Sequence, residues 1–268
     1  MKFPIEDEFI EAYKQKINEG NSFIKDKNIC ITGLARNIEP VLHNSLDHLS
    51  EICSLFNNCN VVIFENDSAD NTKNILQSWQ RPNYYLISET LNATHPIGIS
   101  KSKLRTQALA NYRNLCKNYI INNITTKLDY IIVIDLDFRG IDINGVLNSF
   151  GWLSSSNIDA MVGIAYMLLK DEFNKVTILN YDSWAFRHTW WNDYQEQMPW
   201  FSKWCPFIGS QPIKVNSAFG GIGIYSADKY LSCDYEGYDC EHVCLHKNLY
   251  NKYPNFNLSL NPSQLFII

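Results

Sequence analysis

Asp129-Tyr130-Ile131-Ile132-Val133-Ile134-Asp135-Leu136-Asp137-Phe138-Arg139-Gly140 sets five apolar residues in front of two carboxylates. An apolar run of that length bounded by polar residues reads as a buried strand. Residues two apart in an extended segment project to the same side, so Asp135 and Asp137 address one ligand at the strand's carboxyl end. Two carboxylates in one small site repel unless a cation compensates them. Hard divalent ions such as Mn²⁺ or Mg²⁺ take oxygen ligands, commonly one or two carboxylates plus substrate phosphates. The pair is therefore the candidate metal site.

Upstream, the same design repeats. Asn28 to Leu34, Asn60 to Glu65 and Tyr84 to Ser88 read as strands. Helical patterns fill the gaps at about Ile38 to Phe56, from Asn71-Thr72 through Trp79, and at about Lys103 to Asn122, with a further helix at about Ile5 to Ile17. Strands alternating with helices predict an α/β class with an open, twisted, mostly parallel sheet covered by helices on both faces. Such sheets bind ligands at the carboxyl ends of their strands. A phosphatase of the haloacid dehalogenase type would carry its acidic pair on the first strand, whereas here three β units precede it.

Composition narrows the function classes. The 268 residues, 46% of them hydrophobic, suit one large domain with a full core. A net charge of −5 with no basic run excludes nucleic acid as the main partner. No apolar stretch is long enough to span a bilayer. The acidic start at Glu6-Asp7-Glu8 is not a secretory signal. The expectation is a cytoplasmic or otherwise soluble protein, with peripheral membrane association as an alternative. Its eight scattered cysteines, with no CxxC pair, are expected to be reduced.

The second half reads less regularly. Ala160 to Tyr166, Lys175 to Leu179 and Lys214 to Ala218 are short strand candidates around an aromatic segment, Tyr181 to Phe207, that holds five of the seven tryptophans. Aromatic faces there suit sugar rings, with Asp182, Trp184 and Arg187 as candidate acceptor-binding residues. Phe219-Gly220-Gly221-Ile222-Gly223-Ile224-Tyr225 lacks the full dinucleotide fingerprint. Its glycines suit a close backbone approach to a ligand instead. Cys240, His242, Cys244 and His246 alternate, but neighbours on one element do not readily wrap a tetrahedral zinc ion.

Several ordered segments resemble the GT-A-fold glycosyltransferases, and among them the fungal capsule-associated α-1,3-mannosyltransferases and their bacterial and viral relatives. They are Gly33-Leu34-Ala35-Arg36-Asn37, Phe64 to Thr72, Tyr112-Arg113-Asn114, Ile134 to Gly140, and Tyr181-Asp182-Ser183-Trp184-Ala185. The resemblance implies that Arg36, Asn37, Glu65, Asp67 and Arg113 surround a nucleoside-diphosphate sugar. Asp135 and Asp137 hold the metal and diphosphate, with His246 or His242 completing the metal shell. An acidic residue at a helix start after the glycine turn, Asp239 or Glu241, is the candidate catalytic base if the reaction inverts.

The expectation is one GT-A-like domain, with a nucleotide-sugar-binding half over about residues 1–140 and an acceptor-binding half over about 141–268. It would move a sugar, possible donors being GDP-mannose or a UDP-sugar, to a glycan or other hydroxyl acceptor. The rivals are a nucleotidyltransferase of related fold and a non-catalytic glycan-binding module.

Overall fold

A computed structural model of the chain describes residues 4–92, 102–170, 176–190 and 201–268. Its first half follows the pattern the sequence sets. After helix α1 (Ile10–Phe23) come β1 (Asn28–Ala35), α2 (Glu39–Ser54), β2 (Asn58–Asn66), α3 (Thr72–Ser78), β3 (Tyr84–Glu89), α4 (Lys103–Asn123) and β4 (Tyr130–Ile134). Then follow β5 (Gly140–Ile141), α5 (Ile143–Ser155), β6 (Ala160–Lys170), β7 (Val176–Asn180), β8 (Ile213–Lys214), β9 (Ile222–Ser226), α6 (Ala227–Leu231), α7 (Glu241–Lys252) and β10 (Leu258–Ile267).

All ten described strands share one sheet, along the path β3-β2-β1-β4-β9-β6-β10-β5, with β7 beside β6 and β8 beside β10. The strands β3, β2, β1 and β4 pair in parallel, β9 runs against both β4 and β6, and β10 is parallel to β6. Thus β9 stitches the two halves of the chain into one sheet.

The two-residue period of the strands builds a core on each face. On one face Cys30, Val62, Ile131 and Val133 pack with Ala110, Cys116 and Ile120 of α4 and Val243 and Leu249 of α7. On the other, Ile29, Ile31, Val61, Ile132 and Ile134 pack with Leu42, Leu46 and Leu49 of α2 and Val146 and Phe150 of α5. A strand buried on both faces reads as an unbroken apolar run, which is why β1, β2 and β4 were legible.

The first helix begins later than its pattern suggests, because Asp7–Phe9 forms a single 3₁₀ turn. In the second half only Lys214 of the expected 214–218 strand lies in a strand, the two-residue Ile213–Lys214, and Lys175, the expected start of another, lies outside the described residues. The elements α5, β9 and β10 were not anticipated. Cys53, in the last turn of α2, and Cys59 of β2 form a disulfide, which corrects the expectation of reduced thiols throughout. Among the described residues no helix is long and apolar enough to cross a membrane.

Candidate active site

The carboxyl ends of β1, β2 and β4 open into one cleft of about 460 Å³. Leu34 to Asn37 line it from the end of β1, Asn66 from the end of β2, and Asp135 and Asp137 from the segment after β4. One face of α4 supplies Arg105, Leu109, Tyr112 and Arg113, residues spaced at helical intervals. The opposite wall comes from the second half: Tyr181, Asp182, Trp184, Phe219, Gly221, Glu241 and His242.

Asp135 and Asp137 stand together at the cleft floor. The Asp135 backbone N–H donates to Gly221 O at 2.9 Å, which fixes where β4 ends. Its carboxylate accepts from Arg113 Nη2 at 3.0 Å and keeps 38% of its side-chain surface open to the cleft. Protein on every other side raises the Asp135 carboxyl to about 7, with the Asp137 charge adding to the shift and Arg113 opposing it. Asp137 is also raised, chiefly by its protein surroundings, although its side chain faces open space. The arrangement lacks positive charge. Two crowded carboxylates, only one of them paired with an arginine, suit an added cation that also binds phosphate oxygens. Among the described residues no third His, Cys, Asp or Glu stands close enough to complete a metal cluster by itself, so substrate oxygens or water would finish the shell.

Arg113 is 5% exposed and reaches two acids: its Nε donates to Glu241 Oε1 at 3.2 Å while its Nη2 holds Asp135. It lines the cleft, but its bonding is already spent on protein. Glu241, the first residue of α7, lines the cleft at 3% exposure. Asp239 does not line it. Its carboxylate grips the Arg187 guanidinium at 3.1 and 3.3 Å and accepts from Cys240 N at 2.7 Å. Arg187 in turn donates from Nη1 to Trp184 O and Phe186 O, both at 2.8 Å. Buried at 2% exposure, Arg187 braces the wall rather than facing an acceptor.

Asp182 accepts from Gly220 N at 2.8 Å and Ala185 N at 3.3 Å, tying the aromatic segment to the glycine turn. The glycines are required there: Gly220 and Gly221 have φ of +59° and +76°, and a Cβ on Gly220 would lie 2.3 Å from Gly163 O. The turn hands the chain into β9, so this segment is a turn followed by a strand rather than a free loop. Tyr181 faces the cleft, its phenol pushed up to about 12 by burial and by the nearby Asp137 and Asp182 charges. Trp184 offers one ring face to Arg105, whose guanidinium carbon lies 5.6 Å from the ring centroid.

Three expectations need correction. His246 is fully buried, does not line the cleft, and has both ring nitrogens engaged, Nδ1 with Ser217 Oγ at 2.8 Å and Nε2 with Tyr225 OH at 3.0 Å. It is thus not placed to reach a metal at Asp135 and Asp137. His242 lines the cleft instead, stacked on Phe219 with ring centroids 3.6 Å apart. Glu65, expected to meet the nucleotide, accepts from Ser68 N at 3.0 Å and Ser88 Oγ at 2.6 Å and is 1% exposed. Asp67, at φ +52°, accepts from Leu91 N and Asn92 N at 2.9 and 3.0 Å. Both acids thus shape the loop beside the cleft. Asn37 and Arg36 do line it, Asn37 with its side-chain oxygen capping Ala69 N at 2.7 Å.

Cys240 and Cys244 are free thiols, and α7 turns the alternating Cys/His run into helical faces, which excludes the zinc arrangement considered for it. Of the tryptophans expected on an acceptor surface, Trp191 and Trp200 lie outside the described residues. Tyr112, Tyr181 and Phe219 line the cleft without having been singled out individually, although each belongs to a quoted motif. Their aromatic character suited core as well as cleft, which left them without a distinguishing signal.

The family model described as Cryptococcal mannosyltransferase 1 matches residues 28–253. No match is found among curated proteins. Among solved structures, the chain is similar to the mannosyltransferase PcManGT from Pyrobaculum calidifontis in complex with GDP-Man and Mn²⁺. The identity is 10% and the TM-score 0.52, over 97% of this chain and 65% of that one. S. aureus TarS 1-349 in complex with UDP-GlcNAc matches at 11% identity and a TM-score of 0.52, over 90% of this chain and 58% of that one. Glucosyl-3-phosphoglycerate synthase from Mycobacterium tuberculosis, in complex with Mn²⁺, UDP and glucosyl-3-phosphoglycerate, matches at 15% and 0.52, over 94% and 74%. The chain therefore spans less than two thirds of the first two. At these identities the likeness is one of fold, and the fold is that of the GT-A nucleotide-sugar transferases.

Proposed function

The chain belongs to the family described as Cryptococcal mannosyltransferase 1, and from that premise we propose that it is a metal-dependent glycosyltransferase. It takes a sugar from a nucleoside-diphosphate sugar and passes it to a hydroxyl of a glycan-type acceptor. The observation that carries this reading is the pair Asp135 and Asp137 after the carboxyl end of β4, facing a cleft of about 460 Å³, with only Asp135 held by an arginine ion pair. Bound Mn²⁺ or Mg²⁺ would supply charge neutralisation for the departing nucleoside diphosphate.

The protein's own part is positioning. Arg113 keeps Asp135 aimed into the cleft from the side opposite the ligand. The nucleotide lies against the wall made by Arg36, Asn37, Asn66 and Tyr112, in the half of the chain up to about residue 140. The acceptor lies against Tyr181, Asp182 and Trp184, in the half from about 141 to 268. Of the two candidate bases, Glu241 alone lines the cleft, so it is the one to receive the acceptor proton if the anomeric configuration inverts. GDP-mannose is the first donor to test, since the PcManGT structure contains it.

The test is thermal unfolding with GDP, UDP, GDP-mannose and UDP-GlcNAc, with and without Mn²⁺, on wild type and Asp137→Ala. A ligand at 100 times its dissociation constant adds about 2.7 kcal/mol. A Mn²⁺-dependent shift with one nucleotide, absent from the variant, is expected. No response to any of the four would favour a glycan-binding module without donor chemistry.

A further inference from the structure

We propose that Arg105, placed over the ring of Trp184, is the side chain that grips the diphosphate of the leaving nucleotide, an assignment that rests on the donor-site reading above. Three arginines line the cleft: Arg36, Arg105 and Arg113. Arg113 is committed to Asp135 and Glu241, with its buried guanidinium joined to one acid on each side. Arg105 differs. Among the described residues its guanidinium makes neither an ion pair nor a hydrogen bond. Its side chain lies over the ring of Trp184, with the guanidinium carbon 5.6 Å from the ring centroid.

That partner attracts the group without using its N–H donors. A guanidinium lying over an aromatic face is attracted to the ring's π cloud, and its N–H groups point outward around the rim. A fork of that geometry matches two oxygens of a phosphate. The position is also right. Arg105 lines the same cleft as Asp135 and Asp137 and forms no ion pair with either. A group between them would meet a cation on one side and the two metal-site carboxylates on the other. A metal-bound phosphate has that mixture of charge.

Arg105 also sits in the first turn of α4, whose capped start is anchored by Ser102 Oγ accepting from Arg105 N at 3.2 Å. Its backbone is therefore fixed while its head remains unpaired. Trp184 thereby serves as the platform for a cation on one ring face.

The experiment measures affinity for GDP, GMP, UDP and UMP in Mn²⁺ by calorimetry, on wild type, Arg105→Ala, Arg105→Lys, Trp184→Leu and Trp184→Phe. A charge-assisted bond is lost in Arg105→Ala, so diphosphate binding should weaken roughly 10- to 100-fold, with the monophosphate of the same base little changed. Arg105→Lys, which keeps the charge without the fork, should fall between. Trp184→Leu should weaken the diphosphate selectively and Trp184→Phe should not. The unfolding temperature without nucleotide should change little in Arg105→Ala, since the contact with the Trp184 ring is the one protein partner lost and no ion pair or hydrogen bond goes with it.

Equal diphosphate affinity in wild type and Arg105→Ala overturns the assignment, as does an equal loss for mono- and diphosphate. A Trp184→Leu variant that binds like wild type overturns the platform role. A wild type that binds no nucleotide sinks the donor-site reading and this assignment together.

Discussion

Asp135 and Glu241 are joined through opposite sides of one guanidinium: Arg113 Nη2 lies 3.0 Å from the first and Nε 3.2 Å from the second. Replacing Arg113 with methionine would leave the nearly buried Glu241 carboxylate unpaired in a low-dielectric setting. Removing one partner of such a set costs about 3–5 kcal/mol. The lower end is expected here, because Asp135 remains partly open to solvent. Denaturant unfolding of Arg113→Met checks this, and Arg113→Met combined with Glu241→Gln should recover part of the loss. A loss under about 1 kcal/mol would show the bridge to be unimportant to the fold.

The ion pair of Arg187 and Asp239 makes a second, different test. Both side chains are almost fully buried, at 3% and 5% exposure. Arg187→Met should destabilise by about 3 kcal/mol or more. The pair ties the Trp184 segment to the start of α7, so sugar transfer should fall further than nucleotide affinity does. Comparing donor-nucleotide binding with acceptor-dependent turnover reads the difference. Equal losses in the two would reduce the pair to a stabiliser of the fold.

Gly220 permits a more local perturbation. With φ at +59° and Gly163 O 2.3 Å from the position of an added Cβ, Gly220→Ala meets both a left-handed backbone penalty and a clash. The first alone costs about 1–2 kcal/mol, so a total of at least about 2 kcal/mol is expected from chemical unfolding. The same change should loosen Asp182, which accepts from the Gly220 N–H. A stable Gly220→Ala protein would mean that the turn relaxes freely.

His246 predicts a pH signature. Burial lowers its pKa from 6.5 to about 3. Below 6.5 the unfolded chain takes a proton there that the folded chain refuses, so stability falls as pH drops from about 6.5 towards 3. At pH 5 the effect is about 2 kcal/mol. His246→Gln should be less stable than wild type at pH 8, and the gap should narrow by about that amount at pH 5. Parallel pH profiles of unfolding for the two proteins would contradict a buried neutral imidazole.

The legibility of the sequence divides along physical lines. The strands β1, β2 and β4 announced themselves because burial on both faces demands unbroken apolar runs. Asp135 and Asp137 were readable because both belong to one strand end. By contrast, β10 holds Asn261, Pro262, Ser263 and Gln264 at its centre, where its pairing with β6 shifts register between Leu260 and Leu265. That polarity imitates a loop. Its satisfaction depends on partners remote in sequence, with Asn261 donating to Asn148 and Ser149 at 3.0 and 2.8 Å. The strand β9 was masked by the glycines that begin it.

The reassigned site residues share a cause. Residue type shows that a carboxylate or imidazole is present, but not which groups saturate it. Glu65 and Asp67 are filled by nearby amides and a serine, and His246 by Ser217 and Tyr225. Arg113 and Arg105 sit on one helix and look alike in sequence. Only the long-range fold separates the committed guanidinium from the uncommitted one.

The place of β9 has a bearing on how the protein is made. It fills the gap between β4 and β6, but a ribosome delivers it after both. Until then the growing chain carries β4 with one flank of backbone donors and acceptors unmatched, and an exposed flank of that kind is a template for pairing with other chains. The wait covers everything from the end of β4 to Ile222. Slow, long-distance pairing of this sort favours aggregation during synthesis. Recombinant yield should therefore depend on growth temperature and chaperone supply more than the stability of the finished protein would suggest.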